Sequence, residues 1–123
     1  MEKINESDVE FRQGGNYGSK YLFRRQYCEG GKIVIPPNAK YAERAHYHKG
    51  IEEIFWFIEG EPLLLVGDEK IRVKQGDVYV IQPREEHNVL NDTSNRCLIC
   101  FIKSPIISGD RFEVKENGQD DKK

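Results

Sequence analysis

At 123 residues the chain has room for one domain with a sizeable core and not for two. Apolar residues make up 37% and charged residues 33%, and the net charge is only -2, so no nucleic acid and no membrane is expected as a partner. Met1 to Glu10 is polar and charged, no run approaches the roughly 18 apolar residues of a membrane span, and the three cysteines are an odd number; a soluble, cytoplasmic protein with reduced thiols is expected.

Residues 1–19 contain Gly14, Gly15 and Gly18 among polar residues and show no sustained periodicity, so they read as an N-terminal arm. From Lys20 the pattern changes to short β-branched and aromatic runs: Tyr21 to Tyr27, Lys32 to Ile35, Ala42 to His48, Glu53 to Ile58, Leu63 to Val66, Lys70 to Val73, Val78 to Ile81, Asn88 to Asn91 and Arg96 to Ile102. Turn residues separate them at Gly30-Gly31, Pro36-Pro37-Asn38, Gly60-Glu61-Pro62, Gly67-Asp68 and Asn91-Asp92. Strands at about 8 to 12 residue spacing indicate an all-β sandwich or barrel over residues 20–114, and Gly67-Asp68 looks like the turn of a hairpin. Residues 115–123 form a polar tail expected to fray. Cys97 and Cys100 are three apart on a predicted strand, so they face opposite ways and read as small core residues rather than a ligand pair.

The segment His46 to Gly60 carries the chemistry. His46 and His48 are one residue apart, so on a strand both point to the same face. Lys49-Gly50 is a turn candidate, and it lets Glu52 or Glu53 fold back beside the two imidazoles. The one other histidine, His87, follows Gly76-Asp77, a turn and a short apolar run. If Glu53 faces inward, Phe55 and Phe57 do too, and Ile54, Trp56 and Ile58 face out; that outward apolar stripe predicts a homodimer or a covering arm.

The spacing His46-x-His48, four residues, Glu53, six residues, Gly60 matches the first cupin motif from its first histidine onward, and Gly76-Asp77, nine residues, His87, three residues, Asn91 resembles the second. The resemblance covers about residues 32 to 102. It implies a single-domain cupin, that is, a double-stranded β-helix of the jelly-roll class. It also implies that His46, His48, Glu53 and His87 bind one divalent transition metal inside the barrel. Glu53 rather than Glu52 is the implied ligand because it keeps the spacing to Gly60. Two positions depart from the pattern. Lys40 stands where the family has a glycine ahead of the first histidine, with Pro37-Asn38 as the substitute turn; in the second motif the proline is displaced to Pro83, and Arg84-Glu85-Glu86 lacks the following glycine.

Imidazole and carboxylate ligands suit iron, manganese, zinc, nickel or copper, and four of them leave about two octahedral positions open. That favours a metal-dependent enzyme acting on a small organic molecule, with a dioxygenase-like oxidoreductase ahead of an isomerase or lyase. The alternative is a non-catalytic small-molecule-binding or sensing cupin. The barrel mouth is expected to be aromatic, from Phe55, Phe57, Tyr79 and Phe101. Arg44 shares the face of His46 and His48 if the strand already begins there, which would place its guanidinium beside a rim glutamate or a substrate carboxylate or phosphate.

Overall fold

Burial alternates along the strands and sets the architecture. In β5 (Glu52–Glu59) residues 53, 55 and 57 are buried while 52, 54, 56 and 58 are not, and β10 (Cys97–Ser104) buries 97, 99 and 101. The computed structural model describes residues 1–115 and the backbone of 120–122. Five antiparallel strands form one sheet in the order β1 (Gly18–Arg24), β2 (Glu29–Ile35), β10, β5, β8 (Val78–Ile81). The second sheet runs β12 (Asp120–Lys122), β11 (Phe112–Val114), β4 (His46–Tyr47), β9 (His87–Asn91), β6 (Leu63–Val66), β7 (Glu69–Arg72), with β3 (Ala39–Lys40) also on β9. This is the expected all-β double-stranded β-helix. Among the described residues no helix is long and apolar enough to cross a membrane.

Between the sheets lie Ile33, Ile35, Phe55, Phe57, Leu64, Val73, Ile81, Val89, Cys97, Ile99 and Phe101. Burial pushes the Cys97 thiol up to about 12, so it behaves as an apolar residue, while Cys100 faces the other way on β10; all three cysteines are free. The Gly67-Asp68 hairpin joins β6 to β7, with Gly67 at φ 56°.

The expected strand from Ala42 to His48 shrinks to His46–Tyr47. The reason is Asn88, whose side chain accepts from Ala42 N (3.1 Å) and donates to Ala42 O (2.9 Å), so a side chain replaces the ladder there. β3 and β11 carry no alternating signal of their own. β11 is held by pairing with β4 and by Phe112 stacking on Tyr47 at 5.4 Å. Part of the polar tail, Asp120–Lys122, pairs with β11, and residues 116–119 and 123 lie outside the described residues.

The N-terminal arm is likewise anchored. It contains a 3-10 turn, Glu6–Asp8, capped by Asn5; Glu6 accepts from Lys20 at its carbonyl (2.8 Å) and from Lys32 at its carboxylate (2.7 Å). Left-handed backbone occurs at the turn that substitutes for the first missing glycine and within the second departure. Asn38 has φ 56°, as the Pro37-Asn38 turn predicts, and Arg84 has φ 72° without the glycine that conformation favours. Arg84 N donates to His48 O at 2.6 Å, which fixes the strained residue in place.

Asn91, the last motif residue, is fully buried; its amide donates to the carbonyls of Ile35, Pro36 and Asn95, and its oxygen accepts from Thr93 N and Oγ1. Asn91→Ala removes the amide that donates to these three carbonyls and should cost about 2–3 kcal/mol. Chemical denaturation checks this, and an unchanged midpoint would remove Asn91 as the organiser of this corner.

Candidate metal centre

Three strands and one strand end bring the donors together. His46 on β4 stands directly opposite His87 on β9, His48 follows the end of β4, and Glu53 is the second residue of β5. One ligand-type atom from each of the four residues lies within 4.8 Å of the others. Around an ion held at about 2.1 Å, neighbouring ligand atoms are about 3 Å apart and opposed ones about 4.2 Å. All four residues are buried, none more than 4% exposed. Glu52, one residue away, is at the surface and accepts from Gln82 Nε2 at 3.2 Å.

Hydrogen bonds set the imidazole tautomers. His48 Nδ1 meets Asp110 O at 2.5 Å and His87 Nδ1 meets Glu85 O at 2.8 Å. A carbonyl only accepts, so each Nδ1 carries a proton, and each Nε2 is turned to Glu53 Oε1, at 3.2 and 3.3 Å. Those separations are long for a charge-assisted pair and suit donors arranged around a shared centre. His46 Nδ1 is buried and has no hydrogen-bond partner among the described residues. A buried orphan nitrogen within a cluster of donors is what an ion would satisfy.

Burial is the first cause holding the His46 imidazole down to about 2, with the charges of His87 and Arg111 adding to it; the ring is therefore neutral, as a ligand must be. For Glu53 burial acts to raise the pKa, but its contacts with the His48 and His87 rings and the charge of Lys103 outweigh it, so the carboxyl stays ionised. A neutral His46, two further imidazoles held at Nδ1 and an ionised carboxylate form a donor set suited to a divalent cation.

Several residues the sequence did not single out complete the site. Asp110 supplies the carbonyl for His48, while its carboxylate accepts from Lys49 N (2.7 Å) and Gly50 N (2.8 Å) and so holds the turn between His48 and Glu53. Lys103 faces Glu53 in the β5–β10 register and donates to Tyr21 Oη at 2.8 Å. Tyr41 lies 6.4 Å from His46, ring to ring. The only sequence signal for any of them is Lys103's position on a long predicted strand; Asp110 lies 57 residues beyond Glu53 in a polar loop without periodicity.

The expected aromatic mouth is a buried wall instead. Phe55, Phe57 and Phe101 are at most 2% exposed and belong to the core, where Phe55 meets His87 at 5.9 Å; Tyr79 is half-buried against Phe57 at 6.0 Å. Alternation orients these side chains inward, but the sheets close over them. Arg44 is exposed on a bend before β4, because the strand begins only at His46, and it borders a shallow surface depression with Lys40, Glu43 and Lys115 rather than the donors.

The pattern of the cupin domain family matches residues 31–103, which include all four donors. An uncharacterized protein of Methanocaldococcus jannaschii is 34% identical over 85 residues, 69% of this chain and 66% of that protein, so the chain spans a little under two thirds of the relative's length. Two solved structures share the fold, each with a TM-score of 0.71 over 85% of this chain. One, at 14% identity and 90% coverage of its own chain, is an uncharacterized conserved protein with a double-stranded β-helix domain from Klebsiella pneumoniae. The other, at 17% identity and 100% coverage, is a predicted oxalate decarboxylase from Thermotoga maritima.

His48→Ala removes one donor and also the partner of the Asp110 carbonyl. Metal analysis of the purified protein should find about one divalent transition ion per wild-type chain and at most traces in the variant. Equal metal content in the two would show that these four residues are not the ligands.

Proposed function

The chain belongs to the cupin family, and from that membership and its four buried donors we propose that it is a metal-dependent enzyme acting on a small organic molecule. The observation that carries this is the donor set itself: three imidazoles and one carboxylate, buried together. A divalent ion of iron, manganese, zinc, nickel or copper held there would supply Lewis-acid polarisation or, for the redox-active metals, dioxygen activation at the positions the protein leaves open. The protein's own residues do the rest. Phe55 walls the centre off from water on the core side, while Asp110 and Glu85 hold the His48 and His87 rings in the ligating tautomer.

Tyr41 and Lys103 are two of the titratable groups beside the centre. Burial raises the Tyr41 hydroxyl; for Lys103 burial pulls the other way, but the charge of Glu53 outweighs it and the ammonium is also raised. Both therefore keep their protons at neutral pH and act as donors rather than bases. That keeps a dioxygenase-like oxidation ahead of a base-initiated isomerisation or elimination. The presence of two proton donors supports the second reading, a lyase or isomerase that protonates its substrate. The similarity to the predicted oxalate decarboxylase supports small carboxylic acids as the first compounds to test.

Iron-, manganese-, zinc- and nickel-loaded protein should be screened against small organic acids, with and without oxygen. Substrate-dependent oxygen consumption is the expected result. Turnover with no oxygen uptake would replace the oxidation with the lyase or isomerase reading. Ligand binding without turnover in every metal form would overturn the enzyme and leave a sensing protein.

We further propose that the chain acts as a cytoplasmic homodimer. The N-terminal arm reaches the sheet at Lys20 and Lys32, on β1 and β2. It leaves Trp56, Val78, Val80 and Ile102 exposed at 40 to 56% on the outer face of β10, β5 and β8. These residues are contiguous, since Trp56 pairs with Val78 and Cys100, and Ile54 with Val80 and Ile102; β8 is also the edge of its sheet. Light scattering at micromolar concentration should return twice the chain mass, and Trp56→Lys should return the monomer. A monomeric wild type would refute the dimer.

A further inference from the structure

Resting on the metal-centred reading above, we propose that the cleft over the four donors receives a small organic anion, with Lys103 and Arg111 as its charge partners and Arg12 and Arg24 at its rim. The cleft has a volume of about 550 Å³, the size of a small-molecule site. Three of its lining residues touch or face the donors: Tyr41 lies 6.4 Å from His46 ring to ring, Lys103 stands opposite Glu53 in the β5–β10 ladder, and the Asp110 carbonyl bonds His48.

The cations of this cleft have no carboxylate partner among the described residues. Elsewhere on the surface Arg25, Lys32, Arg72 and Arg96 each pair with a carboxylate. Arg12, Arg24, Lys103 and Arg111, all on the cleft wall, form no ion pair among the described residues. Arg12 instead lies over the Tyr21 ring at 3.8 Å. Acidic residues are present but do not neutralise the wall. The Asp110 carboxylate is taken by the backbone of Lys49 and Gly50, Glu43 is exposed, and Glu29 stands opposite Lys103 in the β2–β10 ladder without pairing to it.

Position makes the unpaired charges informative. Lys103 is half-buried, its hydrogen bond goes to the Tyr21 hydroxyl, and it stands opposite Glu53 in the β5–β10 ladder. A divalent ion held by Glu53 would occupy the carboxylate that Lys103 faces across the ladder. Arg111 lines the same cleft as Tyr41 and follows Asp110, whose carbonyl bonds His48. An ion balanced by a single carboxylate, with two fixed cations beside it, makes the centre strongly positive. A carboxylate bound in the cleft would restore the balance, with Lys103 and Arg111 as its hydrogen-bond partners. The anionic group of the substrate would thus orient the rest of the molecule over the metal.

Calorimetric titration of metal-loaded protein tests this with malonate, its neutral diamide, and inorganic phosphate as the competing anion chemistry. Malonate should bind, the diamide should not, and phosphate should be weaker than malonate. Arg111→Ala and Lys103→Met should each weaken malonate by about tenfold or more, the loss expected when a charged hydrogen-bond partner is removed, with metal content and melting temperature close to wild type. Equal binding of diamide and malonate, or variants that bind malonate like wild type, would overturn the proposal, and tighter phosphate would overturn the carboxylate assignment. If the wild type holds no metal yet binds malonate through Arg111, the anion site stands and the metal-centred reading falls.

Discussion

A carboxylate buried between two imidazoles is the constraint the rest of the structure serves. Glu53 is 4% exposed, and an ionised group there is tolerable only if its lone pairs are met. His48 and His87 meet it from one side, but their Nδ1 protons are directed to the Asp110 and Glu85 carbonyls, so their other nitrogens are better placed to ligate than to donate. The protein has thus spent its polar contacts on holding rings in orientation, and left the middle of the cluster to something positive. The orphan Nδ1 of His46 belongs to the same arrangement.

That arrangement rests on contacts between segments far apart in the chain. The turn from His48 to Glu53 is gripped by Asp110, whose carboxylate binds two successive backbone N–H groups and whose carbonyl positions a histidine. The loop before His87 is tied back through Arg84 N to His48 O. A left-handed conformation costs a residue with a side chain about 1–2 kcal/mol, and this hydrogen bond to a donor residue's own backbone is what fixes it at Arg84. Both loops therefore trade local freedom for the placement of imidazoles.

What could be read in the sequence was whatever depends on short-range periodicity. Inward Glu53, Phe55 and Phe57 and outward Trp56 follow from alternation, Leu63 to Val66 and Val78 to Ile81 are bounded by turn residues, and Asn38 takes the left-handed backbone its turn called for. Alternation fails where tertiary contacts replace the ladder. Arg44 seemed to share the face of His46 only on the assumption of a continuous strand, and Asn88 ends that strand by bonding Ala42 with its side chain. The aromatic residues were assigned the right face but the wrong depth, since period two says which way a side chain points and nothing about whether the opposite sheet covers it. Asp110 and Arg111 had no local signal; their roles come from a loop folding back across the barrel end.

The ligands are divided unequally between the layers. His46 and His87 belong to the β4–β9 side and His48 follows it, whereas Glu53 is on β5 in the opposite sheet. Below them the sheets are joined by the apolar core around Phe55, Leu64 and Ile99, and at the level of the donors that apolar contact gives way to polar side chains. An ion bound there is a cross-link between sheets at the end where apolar packing runs out. Its binding free energy is then also free energy of closing the barrel end, because a state with the sheets separated cannot present all four ligands at once. The same placement joins the Asp110 loop to the donor cluster, through His48, by direct hydrogen bonds rather than across a distance.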